Sequence, residues 1–390
     1  MNQSFTRDRF TWLAYLFLAF YGYFINVIGP VTPFLKDELG LSYTSSSLHY
    51  TAFALGILLV GLGGHIVIRR FGRWRSLWIG AAGLSLGTLL LIAGRDPLVT
   101  ITAAFLMGLV GSLILAIIPS ALSDRHGALR AIALTESNTL SSLVATIAPL
   151  MVGFFARTAG GWRLALALMA LTPLLMYLGF RNAAFDETTN PVPAAANGEK
   201  GRLPALYWVY WFALVLAVAV EFCMISWSAD YLQKVLGMLQ PDAAQSVSLF
   251  LGGMILGRLL ISRLTQTYST PALVNASILV AGAGFLLFWA SSIPALGLAG
   301  LFITGLGVAG QYPLILSLAI GAAGDRTVQA GARATLASGT AILTLPLVLG
   351  RLADAFDIRQ AYGVVALLLV SVFTIILVTR RLAPQRPLDA

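Results

Sequence analysis

Glu136, Glu221 and Arg258 are charged residues that fall inside long apolar stretches of the chain. A charge in the middle of a membrane-spanning helix costs roughly 2.5–3.5 kcal/mol on insertion scales, so it is retained where it faces a cavity or a partner. Glu221 lies between Val220 and Phe222, deep in one such stretch. A carboxyl there can take up and release a proton as its surroundings change, or it can join two helices by a hydrogen bond. Asn26, Asn138, Trp227, Gln311 and Tyr312 add polar and aromatic surface to other apolar stretches. Amides hydrogen-bond hydroxyls and aromatic faces stack on sugar rings, so the set suits a sugar or a similar polar solute. Singly, each serves equally well as glue between helices, at about 0.6 kcal/mol per bond. His49 and Tyr50 fall near a span end, where a histidine is expected to be solvated.

Other chemistries are missing from the sequence. None of the three lysines follows a glycine, so no phosphate-cradling Gly-x-x-x-x-Gly-Lys loop exists and ATP is not expected to drive the protein directly. The three histidines are scattered, with no His-Glu-x-x-His, so neither a zinc site nor another cofactor is expected. Gly83-Leu84-Ser85-Leu86-Gly87 matches a nucleophile elbow, but it sits mid-way in an apolar run and not in the strand–turn–helix setting that motif needs. The chain does not read as an enzyme. Cys223, the single cysteine, lies in an apolar run and is expected to pack there.

The elements that carry these residues follow from composition. Of 390 residues, 58% are hydrophobic and 11% charged, too little charge to cover a water-soluble surface of this size. A bilayer span needs roughly 20 mostly apolar residues. The pattern predicts an all-α polytopic membrane protein with twelve spans, at 10–35, 45–68, 76–94, 98–122, 130–155, 162–180, 207–235, 243–264, 271–289, 294–319, 328–351 and 359–378. The run from Phe10 is too long for a signal peptide and is read as the first span. A polar, Pro/Ala-rich linker at 181–206, with Asp186, Glu187, Pro191 and Pro193, divides a bundle at 1–180 from one at 207–390.

The formal charge of +9 is assigned to short loops against anionic lipid and not to nucleic acid, for which no basic arm or base-stacking motif exists. Only Lys36, Arg95, Arg157, Arg163, Lys234, Arg351 and Arg359 fall on the side away from the termini, out of 25 Lys and Arg. The positive-inside rule therefore puts both termini and the linker in the cytosol, across an inner or plasma membrane.

A shift of 197 residues superposes one part of the sequence on the other. Gly56 falls on Gly253, Gly108 on Gly305, and Pro149-Leu150-x-x-Gly153 on Pro346-Leu347-x-x-Gly350. Ser123-Asp124-Arg125 and Gly324-Asp325-Arg326 correspond with a small gap. Several matches at one offset argue for six plus six helices on a duplicated plan, with Pro149 and Pro346 as paired bends.

This plan, with its loops, resembles the major facilitator superfamily over essentially the whole chain. Arg70, Gly72 and Arg73 match that family's loop signature Gly-x-x-x-Asp-Arg-x-Gly-Arg-Arg, while Arg69 replaces its Asp and His65 its first Gly. Gly257-Arg258 with Arg263 and Gly161-Trp162-Arg163 are also similar to family motifs. Glu221-x-x-x-x-x-Trp227-x-x-x-Tyr231-Leu232 and Gly310-Gln311-Tyr312-Pro313 resemble the branch of fucose, galactose and glucose proton symporters. The acids that branch carries in its first and fourth spans are absent here, and Ala104 stands where proton-coupled members commonly have Arg.

The resemblance implies secondary transport by alternating access, a monomer, and a central cavity lined by the seventh span. Proton-coupled uptake through Glu221 is the expected function. Export of drugs or amphipathic metabolites is the alternative, supported by the missing acids and by Ala148-Pro149-x-x-x-Gly153, a poor copy of an antiporter motif. In the resembled fold the fifth and eighth spans meet, which implies a Glu136–Arg258 ion pair closing the cytosolic gate.

Overall fold

The computed structural model describes residues 5–181, 202–324 and 326–382. Most of the expected linker and Asp325 lie outside them. Fourteen α-helices account for nearly all described residues: α1 Arg9–Leu39, α2 Tyr43–Ala93, α3 Pro97–His126, α4 Arg130–Phe155, α5 Gly161–Ala170, α6 Thr172–Phe180, α7 Ala205–Lys234, α8 Gln240–Leu264, α9 Thr270–Ala290, α10 Pro294–Val308, α11 Gln311–Ala322, α12 Thr327–Ala355, α13 Ile358–Ala361 and α14 Gly363–Leu382.

Local signals set the ends. Asp8 caps α1 by accepting from the Thr11 N–H at 2.8 Å, Ser42 caps α2 and Asp96 caps α3. Gly40, at φ 61°, closes α1 in the left-handed conformation that glycine adopts without strain. Among the described residues, ten helical stretches are long and apolar enough to cross a membrane. Two are far longer than a crossing needs: 51 residues at Tyr43–Ala93 and 59 at Pro97–Phe155. The first breaks at Gly72, with φ 79° and ψ 162°, and the second at the 3₁₀ turn Gly127–Leu129. Arg73, next to the first break, pairs with Asp124 near the end of α3 at 2.5 Å, so the loop motif binds one hairpin turn to the next.

Large apolar side chains point outward along these helices. Leu62, Leu86, Leu175 and Leu367 are each about two-thirds exposed. In water this would forfeit about 25 cal/mol for each Å² left uncovered, whereas lipid covers it. Inside, the buried apolar residues form two clusters. One runs from Phe10 to Met176 and takes Ala244 from α8. The other runs from Leu203 to Ile376 and takes Ala54 from α2.

The 197-residue shift has a physical counterpart. A Cβ on Gly108 would strike the backbone of Phe53, and one on Gly305 would strike the backbone of Phe250, its equivalent. Gly56 and Gly253 reciprocate from α2 and α8. Missing side chains thus bring α2 onto α3 and α8 onto α10 in the same way. Between the clusters, Gly29 of α1 lies against the backbone of Ile225 and Ser226 in α7.

The two ends of the bundle differ. Every hydrogen bond described between residues up to 181 and residues from 202 on lies at mid-depth or toward the end away from the termini. The crossings nearest the terminal side run from Arg258 to Ser142 and from Ser248 to the Thr146 carbonyl. That end is sealed by these bonds, whereas at the terminal end none is found among the described residues and a cavity lining reaches Thr265 and Thr270.

Candidate functional site

Two adjoining cavities occupy the opening, of about 240 and 810 Å³. The larger falls within the roughly 300–1,000 Å³ typical of small-molecule sites. Asn138 from α4, Glu221 from α7 and Arg258 from α8 line both. Tyr21 and Asn26 of α1 line the smaller, and Tyr312 at the start of α11 lines the larger. Five of the eight residues expected to act as binding or gating groups therefore meet here: Asn26, Asn138, Glu221, Arg258 and Tyr312. Helix approach makes this possible, because Gly22 of α1 has room for no side chain against Ser141 of α4.

The amides are partly engaged. Asn26 Nδ2 donates to the Gly22 carbonyl at 2.9 Å and Asn138 Nδ2 to the Leu134 carbonyl at 2.8 Å. Arg258 donates to Ser142 Oγ at 3.0 Å. Glu221 is the only acid in either lining, and no protein hydrogen bond to it is described among the described residues.

Three expected residues lie elsewhere. Trp227 is fully buried and donates Nε1 to the Pro346 carbonyl at 3.1 Å, with its ring near Tyr43 and Tyr50. It packs behind the sealed end and does not face the cavities. Gln311 is 1% exposed with neither amide atom partnered. Glu136 accepts from Arg7 Nε at 2.8 Å and from the Tyr15 hydroxyl at 3.1 Å.

The expected Glu136–Arg258 pair is not formed here. Each residue takes another partner, Glu136 taking Arg7 and Tyr15 and Arg258 taking Ser142. Arg7, which lies before α1, gains this carboxylate, and the bond holds its guanidinium above its ordinary pKa. His49 also departs from expectation. It is buried, with Nε2 2.9 Å from Thr100 Oγ1 and Nδ1 3.1 Å from the Ser46 carbonyl. Cys223 is buried in packing, as expected.

Sequence reading passed over the most buried ion pair. Lys36 Nζ at the end of α1 meets Asp230 Oδ1 in α7, with both side chains almost wholly enclosed. The Tyr43 ring covers Lys36 at 3.8 Å. Beside it, Tyr50 Oη donates to the Ser226 carbonyl at 2.9 Å, and Asp354 accepts from the Tyr43 and Thr44 N–H groups at 2.8 Å each. Asp37 accepts from Gln233 and Gln240, and Arg157 pairs with Asp242. The signal for Asp230 was the one that found Glu221: an acid inside an apolar run.

Residues 12–273 match the family model of the Major Facilitator Superfamily. The chain belongs to this superfamily. It is therefore a multi-pass membrane transporter of small solutes, not an enzyme. Relatives include a glucose/galactose transporter of Brucella abortus (biovar 1, strain 9-941), 25% identical over 374 residues that cover 87% of this chain and 86% of that one. The glucose/mannose transporter GlcP of Bacillus subtilis (strain 168) is 24% identical over 341 residues, or 78% and 79% of the two chains. A solved bacterial homologue of the human lysosomal transporter Spinster, inward-facing and occupied, shares the fold at TM-score 0.80 and 15% identity, covering 97% of this chain and 98% of that one.

Proposed function

We propose that this superfamily member takes up a sugar or similar small polar solute together with protons, by alternating access. The observation that carries this is the position of Glu221, the one acid in a lining that opens at the terminal end while the other end is bonded shut. An acid that lines the cavity from α7 can meet solvent from whichever side is open. Loading and release of a proton there would couple the gradient to the solute. Asn26, Asn138 and Tyr312 supply the hydrogen-bonding surface a polar solute needs.

Several finer features belong to the same reading. The breaks at Gly72 and at Gly127–Leu129 turn ten long stretches into twelve crossings, in two bundles at 1–180 and 207–390 joined by a linker at 181–206. The repeated Gly108–Phe53 and Gly305–Phe250 approaches support a duplicated plan. Charge asymmetry puts the termini in the cytosol, so this conformation is open inward. The working unit is a monomer. Glu136, held by Arg7 here, is free to turn to Arg258 when α4 and α8 close together.

The exporter of amphipathic compounds fits less well. Asn138, Glu221, Arg258 and Ser262 give the larger lining polar and charged groups that a polar solute can engage. The relatives that cover most of this chain include transporters named for glucose, galactose and mannose.

Reconstituted protein should accumulate solute under an inward proton gradient, and Glu221→Gln should abolish accumulation while leaving downhill exchange. Accumulation that survives Glu221→Gln would exclude this residue as the coupling site.

A further inference from the structure

The donors around the smaller cavity bear on the charge of the solute. An arginine guanidinium carries five N–H donors and no acceptor. Arg258 has one hydrogen bond described, to Ser142 Oγ at 3.0 Å, and among the described residues no carboxylate pairs with it. Arg7, Arg73, Arg125, Arg157 and Arg163 each have a carboxylate partner. Arg258 thus lines an opening that also contains Glu221, near enough to act on it electrostatically but with no salt bridge to it among the described residues.

A second donor points the same way. Tyr21 is 3% exposed, lines the smaller cavity, and its hydroxyl has no partner. A buried polar group left unpaired costs about 1–3 kcal/mol, so this hydroxyl, enclosed in the present conformation, gains if binding brings an acceptor to it. The competing groups are already engaged. Asn26 and Asn138 donate to carbonyls of their own helices, and Ser141 donates to the Leu18 carbonyl at 3.1 Å. What remains includes a guanidinium and a phenolic hydroxyl, donors complementary to a ligand group that only accepts, beside the Glu221 carboxyl and the two amide oxygens, which suit the hydroxyls of a solute.

We propose that the solute bears a single carboxylate, held by Arg258 and Tyr21, and so is a small hydroxylated acid of the aldonic or uronic type. This rests on the uptake reading above and narrows its substrate class. One guanidinium matches one carboxylate in charge and in two-pronged geometry. A phosphate ester carries about −1.5 to −2 charges, and the lining holds no second cation to meet it. With a proton on Glu221, the bound carboxylate neutralises the one remaining charge of the site. One proton moved with one such anion transfers no net charge, whereas a proton moved with a neutral sugar transfers one.

The test is calorimetric titration of purified, full-length protein with gluconate, glucuronate, glucose and glucose 6-phosphate. At least one of the two acids should bind about tenfold or more tightly than glucose, as expected for an added charge-assisted hydrogen bond. Arg258→Gln should collapse that preference to near unity, and Arg258→Lys should restore part of it. Tyr21→Phe, the mildest change, should reduce it severalfold and serves if the arginine variants fail to fold. Glucose binding as tightly as both acids, or an acid preference unchanged in Arg258→Gln and Tyr21→Phe, overturns the carboxylate assignment while leaving the uptake reading standing. Tightest binding of glucose 6-phosphate overturns it in favour of a dianion. No binding of any of the four, by protein shown folded by its thermal transition, would remove both.

Discussion

The two ends of this bundle handle charge differently. At the sealed end, beside the local Glu38–Arg163 pair, charges also reach across the gap: Lys36 of α1 meets Asp230 of α7 in an enclosed site, and Asp354 of α12 receives the first N–H groups of α2. At the open end, charges are used locally. Arg7 meets Glu136, Asp8 meets Arg125, and Arg73 meets Asp124, all within residues 5–181. On the alternating-access proposal, a bond across the gap costs something to break when the molecule changes state, whereas a local bond moves with its own bundle. The sealed end is then the one that has to spend free energy to open, which can be attacked residue by residue.

The largest effect is expected at Lys36–Asp230. Removing one partner leaves the other buried and unpaired, a cost of roughly 3–5 kcal/mol. Lys36→Met should lower the thermal midpoint markedly and raise labelling of a cysteine placed in the cavity from the sealed side. Lys36→Met with Asp230→Leu should recover most of the stability, since apolar replacement of a buried pair is often neutral. An undiminished midpoint in the single variant would show that the pair does not hold this end.

A smaller effect is expected from Asp354→Ala, which strips an acceptor from two N–H groups at the start of α2. Loss of such a cap costs about 0.5–2 kcal/mol. The same labelling should rise, but less than for Lys36→Met. Equal or greater labelling would reverse the ranking of the two contacts.

The smallest lies at the open end and depends on pH. Burial pushes the Asp8 carboxyl up, but hydrogen bonds from Thr11 and the Arg125 guanidinium outweigh it and hold the group below its ordinary value. A depressed carboxyl stabilises the folded state above its unfolded pKa of about 3.9, and that contribution fades as pH falls through the folded value. Asp8→Asn keeps a good helix cap and removes the titration. Near neutrality the thermal midpoint should be lower for Asp8→Asn than for the parent, and the two should converge as pH falls and the parent loses the contribution of its carboxylate. Parallel curves would show that the local pair contributes nothing.

The all-helical membrane character was legible because apolar length alone demands it, and the glycine offset was legible because close helix approach tolerates no other residue. Glu221, Asn138 and Arg258 were found because polar groups in apolar runs are few. What stayed hidden depends on partners far away in sequence. Lys36 read as a loop residue until α7 brought Asp230 beside it, and Trp227 read as a stacking face until α12 covered it. Arg7 lies outside every apolar run, and only the fold brings Glu136 of α4 to it. Periodicity reports that a residue is buried or polar. It does not report against what.

Gly29 rests on the main chain of Ile225 and Ser226 with no side chain between. On the alternating-access proposal such a bare contact serves as a fulcrum: rigid beams that meet main chain to main chain can tilt about that point without ploughing side chains through one another, so closing the gap on one side of it widens it on the other. Substituting Gly29 would set a wedge there and hold the beams apart.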